Sequence, residues 1–353
     1  MQEIEPTQKK AGLSGAHVNR LKIAGVILTL AGIGLFAYLV YSVGIGELID
    51  GIVRFGVVGF AVILGIFFLR IFVRASAWAM SVHEPYKLSI RDTIPAVIIG
   101  EATSSVVPLG FFVSGTSKAL AVRYRVPMVV GLSSVATENL FYSLLTSIFL
   151  ILGAVAFLRN TTLEDGWVVT IDVLIGFIIL LVVFMLLMVI RQWHFASEAC
   201  ESLFRRGYFT RFLEKGRMDV RLFENLIYGF YRRHPKRFLP ICGLEALYHT
   251  LGIVEVYYII SRLSDLMPNL MTAFLLESVS RLVTILFKLI PLTIGVDEAG
   301  AQFVGDTVAL AAGVGVTLAV IRKGRILFWT AIGFLLIIKR GLTFREISKS
   351  KET

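Results

Sequence analysis

Charge is scarce in this sequence. Of 353 residues only 17% are Asp, Glu, Lys or Arg, where a soluble domain carries about a quarter. With 56% hydrophobic residues, that scarcity excludes an ordinary water-soluble globule. Cysteine is nearly absent. Cys200 lies in a polar segment and Cys242 at the start of an apolar run, which excludes a disulfide framework and a cysteine-based metal site. No G-x-x-x-x-G-K-[ST] occurs, so the chain is not expected to hydrolyse ATP. Histidine is rare as well. Glu245 and His249 stand four apart, but no third ligand accompanies them, so neither metal nor cofactor is expected. Nucleic acid is not expected as a partner.

What is present is apolar sequence in long runs. About 20 residues suffice for one bilayer crossing, and candidate spans fall at 23–43, 55–73, 127–157, 168–190, 238–261, 269–287, 304–320 and 326–338. The run Ile23 to Val43 is too long for a cleaved signal peptide and is followed by further spans. Two apolar segments are broken: 94–122 by Pro95, Gly100, Pro108, Gly110 and Gly115, and 288–303 by Pro291 and Gly295. Unsatisfied backbone is costly in lipid, so such breaks persist only when covered by protein or lining a wet cavity. Both are read as re-entrant hairpins meeting near the middle of the membrane.

Lys and Arg set the orientation. Segment 191–237 holds eleven of them against five acids, and both termini are basic, whereas 158–167 carries only Arg159 and 262–268 only Arg262. Both termini and 191–237 are therefore placed in the cytoplasm, with the chain in the inner, cytoplasmic membrane of the cell. Arg322, Lys323 and Arg325 conflict with this, because the span pattern puts them outside. The expected fold is an all-α polytopic membrane protein of about eight transmembrane helices plus two re-entrant broken-helix segments, in two parallel pseudo-repeats. Its parts are a tail 1–22, a first membrane half 23–190, a basic segment 191–237, a second membrane half 238–338 and a tail 339–353. Within 191–237, Val220, Phe223, Ile227 and Phe230 recur at helical spacing and suit a helix on the membrane surface.

Paired breaks in corresponding positions point to a transporter's binding site. The first break offers Ser114, Gly115, Thr116, Ser117 and Lys118. A helix starting there would direct free N–H groups at an anion; a serine or threonine cap with a snorkelling lysine is the structural alternative. The second break offers Asp297 and Glu298 after Gly295. They either cap a helix and complement its dipole or mark a hydrated, ion-paired cavity, because an acid at mid-membrane costs roughly 2.5–3.5 kcal/mol. A plain Lys118–Glu298 salt bridge satisfies the same residues. Supporting positions are Glu101, Pro108, Glu138, Lys288, Pro291 and Gly295, with Glu277 and Arg281 as an i,i+4 ion pair.

"PLTIGVDEAGAQF", followed by an apolar run and the basic "IRKGR", resembles the transmembrane region of lysylphosphatidylglycerol synthases and of stand-alone flippase-like proteins. "GEATSSVVPLG", "SGTSKALAVRYRVP" and "SVATENLFYSL" follow the same family order. The resemblance covers most of residues 20–340. Family members often carry an acid just before the basic residue of the first break; here Gly115, Thr116 and Ser117 precede Lys118, so no role of that acid is carried over. The resemblance implies the lipid-translocating part without the aminoacyl-transfer domain. The expected function is a non-enzymatic lipid or lipid-headgroup transporter, with a membrane phospholipid or other anionic lipid as its partner. The alternatives are a membrane subunit of a lipid-modifying enzyme that needs a cytosolic partner protein, and a scaffold for envelope assembly.

Overall fold

The computed structural model describes residues 30, 31, 33–106, 110–161, 165–205, 210–264, 269–287, 290–308, 310, 311 and 313–340. A chain this apolar must satisfy its backbone within each segment, and every regular element among the described residues is helical. In order they are α1 (Ile33–Val43), α2 (Ile45–Met80), α3 (Ile90–Val106), α4 (Gly110–Ala121), α5 (Met128–Asn160), α6 (Asp165–Arg191), α7 (Phe195–Arg205), α8 (Thr210–Arg233), α9 (Pro235–Leu263), α10 (Leu270–Leu286), α11 (Val296–Thr307) and α12 (Val314–Lys339). Helices α2, α5, α6 and α9 are long and apolar enough to cross a membrane. So the chain is an all-α polytopic membrane protein, as its composition requires.

Two clusters mark the ends of the bundle. At the first end, Val82, Leu88, Ala121, Val122, Val126 and Ile337 are buried together, with Leu226 packed against them. Tyr124 there donates its hydroxyl to Asp92 at 3.0 Å, Arg340 donates to the Ala121 carbonyl at 2.9 Å, and Arg237 pairs with Glu84 at 2.6 Å. At the second end, Phe55, Phe157, Leu263, Leu275, Val304 and Val314 share another cluster. Both ends of the α3–α4 pair therefore sit at the first end. The α10–α11 pair is anchored at the second. Each long arm has 17 residues, about 25 Å at 1.5 Å per residue, so each hairpin reaches well into the bundle. Their tips meet where α3 packs against the 3₁₀ turn Pro291–Thr293.

Three expectations change. The stretches 304–320 and 326–338 are not two spans: residues 314–339 form one helix, about 39 Å long. Arg322, Lys323 and Arg325 lie inside it rather than in an external loop, and the topological conflict disappears. Parity changes with it. Parallel pseudo-repeats need an even number of spans in each half; with α12 as one helix, α2–(α3–α4)–α5 and α9–(α10–α11)–α12 are instead similar units running in opposite senses, their hairpins dipping from opposite ends. Finally, the second broken segment is wider than 288–303, because α10, read as a full span, is its first arm. The first break falls at 107–109, outside the described residues, as do Pro108 and Lys288.

Helix α6 packs mainly on α5 and exposes Val173, Phe177 and Leu180, as a helix facing lipid does. On α8 the apolar stripe turns inward at its C-terminal part: Ile227 and Phe230 are buried, and Phe230 meets His83 and Phe141 edge-on. That part of the stripe docks the helix on protein rather than on a membrane surface.

Candidate functional site

A cavity of about 180 Å³ lies between the C-terminal part of α3 and the second break. Helix α3 lines it with Glu101, Ser104 and Ser105, α10 with Ser280, Arg281 and Thr284, and the second break with Ile290, Leu292, Thr293 and Asp297. Arg70 of α2, Tyr248 of α9, and Arg322, Arg325 and Trp329 of α12 complete it. The broken backbone shapes this wall. Gly295 ends the turn at φ 82, a conformation open to glycine. Leu292 (φ 56) and Thr293 (φ 47) are also left-handed. For a β-branched residue this is a true outlier, and such strain collects at functional sites.

Four arginines converge behind and around the cavity on two carboxylates. Glu277 accepts from Arg281 at 2.6 Å, from Arg322 at 2.7 Å and from Arg70 at 3.5 Å. Glu255 accepts from Arg70 at 3.2 Å and from Arg325, and lies 3.7 Å from Arg322 Nε. Both glutamates are fully buried, and Arg70 and Arg325 are 1% and 4% exposed. Close packing makes the convergence possible: a Cβ at Gly252 of α9 would collide with the Glu277 carboxylate and come within 3.3 Å of Arg70 Nη2. Aromatic faces carry part of the load, with the Arg70 guanidinium 4.4 Å from the Tyr248 ring and Arg325 4.1 Å from Phe67. Positive charge still exceeds negative. Arg70 Nε, Arg281 Nε, Arg322 Nη1 and Arg325 Nε are buried without a hydrogen-bond partner in the protein, and so is Asp297 Oδ1. Buried donors are normally satisfied, so these four nitrogens are exceptions within the protein.

A second network lies beside the first. Arg74 donates to Glu138 at 2.8 Å, to Glu101 at 3.0 Å and to Asn139 at 3.2 Å. Lys118 Nζ stands 3.7 Å from the other Glu138 oxygen. Lys118 is therefore paired with Glu138, not with Glu298. Glu298 instead meets Lys323 at 2.6 Å and accepts the Gly295 N–H at 2.8 Å, as a capping acid at the third helical position. The two candidate walls thus differ from the expectation. Asp297, Glu101 and Arg281 line the cavity; Lys118 and Ser114 to Ser117 do not. Those residues also do not start a helix, since α4 begins at Gly110, and Ser117 donates back to the Val113 carbonyl at 2.7 Å. Glu277 and Arg281 do pair, within a larger group.

Sequence reasoning passed over Arg70, Arg74 and Glu255, and misplaced Arg322 and Arg325. A signal was there: each is an ionisable residue inside or beside an apolar run, which marks a function or a partner at membrane depth.

Membrane-length helices that gather their charges around a cavity between two broken hairpins define an integral membrane protein with a polar site among its helices. Residues 22–333 match the family described as the lysylphosphatidylglycerol synthase TM region, and the chain belongs to that family. No curated protein and no solved structure matches it.

Proposed function

We propose that this protein is a lipid transporter of flippase type, in the cytoplasmic membrane with both termini in the cytoplasm, and that the cavity between the hairpin tips receives an anionic headgroup. One observation carries the reading: four buried guanidiniums around a cavity keep nitrogen donors that no protein group satisfies. Arginine forks suit phosphate oxygens. The volume of about 180 Å³ is below the ~300 Å³ at which pockets for whole small molecules begin, so a headgroup enters while its acyl chains stay in lipid. Hairpins reaching in from opposite ends suit alternating access, in which rocking of the two units opens the site to each leaflet in turn. The family's lipid-related membrane character agrees with it.

The test is leaflet movement of a labelled phosphatidylglycerol in liposomes holding the purified protein. Arg322→Lys keeps the charge but loses the fork, and Asp297→Asn removes an acid of the wall that acts electrostatically on Arg322. The arginine change should slow movement about tenfold, the worth of one charge-assisted hydrogen bond. Movement no faster than in protein-free liposomes would refute the reading.

A further inference from the structure

Glu245 is a fully buried carboxyl on α9, and neither of its oxygens has a hydrogen-bond partner in the protein. Helix α5 packs on α9, and its Glu138 acts electrostatically on Glu245. Helices α5 and α9 run in the same direction, and Thr146 with His249 at 3.1 Å and the Tyr142 and Tyr248 rings at 5.8 Å fix their register. Glu138 is the tenth residue after Met128 and Glu245 the tenth after Pro235, so both lie about 15 Å in from the helix starts. Glu138 Oε2 also lacks a hydrogen bond. Three carboxylate oxygens without a hydrogen bond thus lie at one depth, and only that of Glu138 has a cation beside it, Lys118 Nζ at 3.7 Å.

The charges around them are already balanced without Glu245. Arg74 comes from α2 and Lys118 from α4; Glu101 comes from α3 and Glu138 from α5. Arg74, Lys118 and Glu138 all act electrostatically on Glu245. On its own helix the nearby titratable groups are Cys242, which feels Glu245, and His249, engaged with Thr146; α8 adds Tyr231 beside Cys242. Two cations face two carboxylates, so an ionised Glu245 would be a buried charge without a counter-ion, which proteins avoid by keeping such a group neutral. A metal ion does not fit. The Lys118 ammonium stands 3.7 Å from Glu138, and no group of His, Cys, Asp and Glu among the described residues could hold one.

We propose that Glu138 and Glu245 share one proton, and that this pair is a proton-binding site separate from the cavity. Two carboxyls that share a site cannot both ionise. The pair reaches the cavity through a single side chain: Arg74 bonds Glu138 at 2.8 Å and Glu101 at 3.0 Å, and Glu101 lines the cavity. Release of the shared proton strengthens the hold of Glu138 and Glu245 on Arg74 and loosens it from Glu101. Proton and headgroup are then coupled, and the coupling is reciprocal. The proton site stands on the residues above; only its coupling to transport rests on the headgroup reading.

Infrared difference spectra of the whole protein in phosphatidylcholine vesicles test the site without any transport. The wild type should show the C=O band of one protonated, buried carboxyl at neutral pH that titrates away in alkali. Glu245→Gln and Glu138→Gln should each abolish it, because the remaining acid is then balanced by Arg74 and Lys118. Absence of the band from the wild type, or its survival in Glu138→Gln, overturns the shared proton. In vesicles with labelled phosphatidylglycerol, an imposed pH gradient should change the rate of leaflet movement severalfold in the wild type and leave it unchanged in Glu245→Gln. A rate indifferent to the gradient in both overturns the coupling. No movement at all, with the band intact, overturns the headgroup reading and leaves the proton site standing.

Discussion

At the scale of single residues, the argument turns on what it takes to hold four guanidiniums out of water. A buried charge that loses its partner is expensive, about 3–5 kcal/mol for a broken buried pair. Glu277 holds Arg70, Arg281 and Arg322 together, so Glu277→Gln should cost at least that much, read as a fall in unfolding temperature in detergent. Gly252→Ala is a finer probe, adding one methyl group where a Cβ meets Glu277. Overpacking of this kind costs about 1–3 kcal/mol; an unchanged melting temperature would mean that the carboxylate moves aside freely. His83 acts differently, outside the spans. Burial, then the positive charges of His234 and Arg233, push its pKa down to about 4, while in the unfolded chain it titrates near 6.5. The folded state thus binds fewer protons between these values, and stability should fall as pH drops from about 6.5 to 4, by on the order of 2 kcal/mol in all. His83→Phe, which keeps the ring against Phe230, should flatten that part of the melting-temperature profile.

At the scale of elements, the pairing of charges across helices is the part that can be measured directly. In a double-mutant cycle, Lys323→Met with Glu298→Gln should be less damaging than either change alone, because no unpaired charge remains. Lys118→Met should cost less in the Glu138→Gln background than alone, because Glu138 is its partner, and Lys118→Met with Glu298→Gln should be additive. Coupling in the last pair and none in the first would contradict the packing of α11 on α12. These pairs also show what was readable in advance. The breaks were readable, since Pro291 and Gly295 interrupt apolar sequence where the turn forms, and Pro108 stands between α3 and α4. Helix α5 was readable from its composition. Helix α12 was not, because a hydropathy window sees Arg322, Lys323 and Arg325 as a polar loop. Their counter-ions, Glu255, Glu277 and Glu298, lie on α9, α10 and α11, and no local window contains both members of such a pair. The same blindness hid Arg70 and Arg74 within the run that became α2. It also gave Lys118 the wrong partner, because charge type alone cannot choose between Glu138 and Glu298.

At the scale of the whole molecule, the opposed senses of the two units decide how the site can work. If both hairpins dipped from one side, their tips would share a single water-filled vestibule and the cavity would open to one leaflet only. Dipping from opposite ends, they suit the transport proposed above, in which a tilt of one unit against the other would expose the arginine group alternately. The arrangement is open to a labelling test in a variant whose two cysteines, Cys200 and Cys242, have been replaced. Glu84 and Arg233 stand at the first end, near the junctions of α2 with α3 and of α8 with α9. Asn160 and Asn269 stand at the second, at the end of α5 and the start of α10. Single cysteines at Glu84 and Arg233 should resist a membrane-impermeant thiol reagent in intact cells and react after the membrane is opened. Cysteines at Asn160 and Asn269 should react in intact cells. A reversed pattern would keep the fold and invert its orientation, against the eleven basic residues of 191–237. Reaction of Glu84 and Asn269 from one side, with Asn160 and Arg233 on the other, would leave the two units parallel, and the meeting of the two hairpins, with the cavity it creates, would lose its basis.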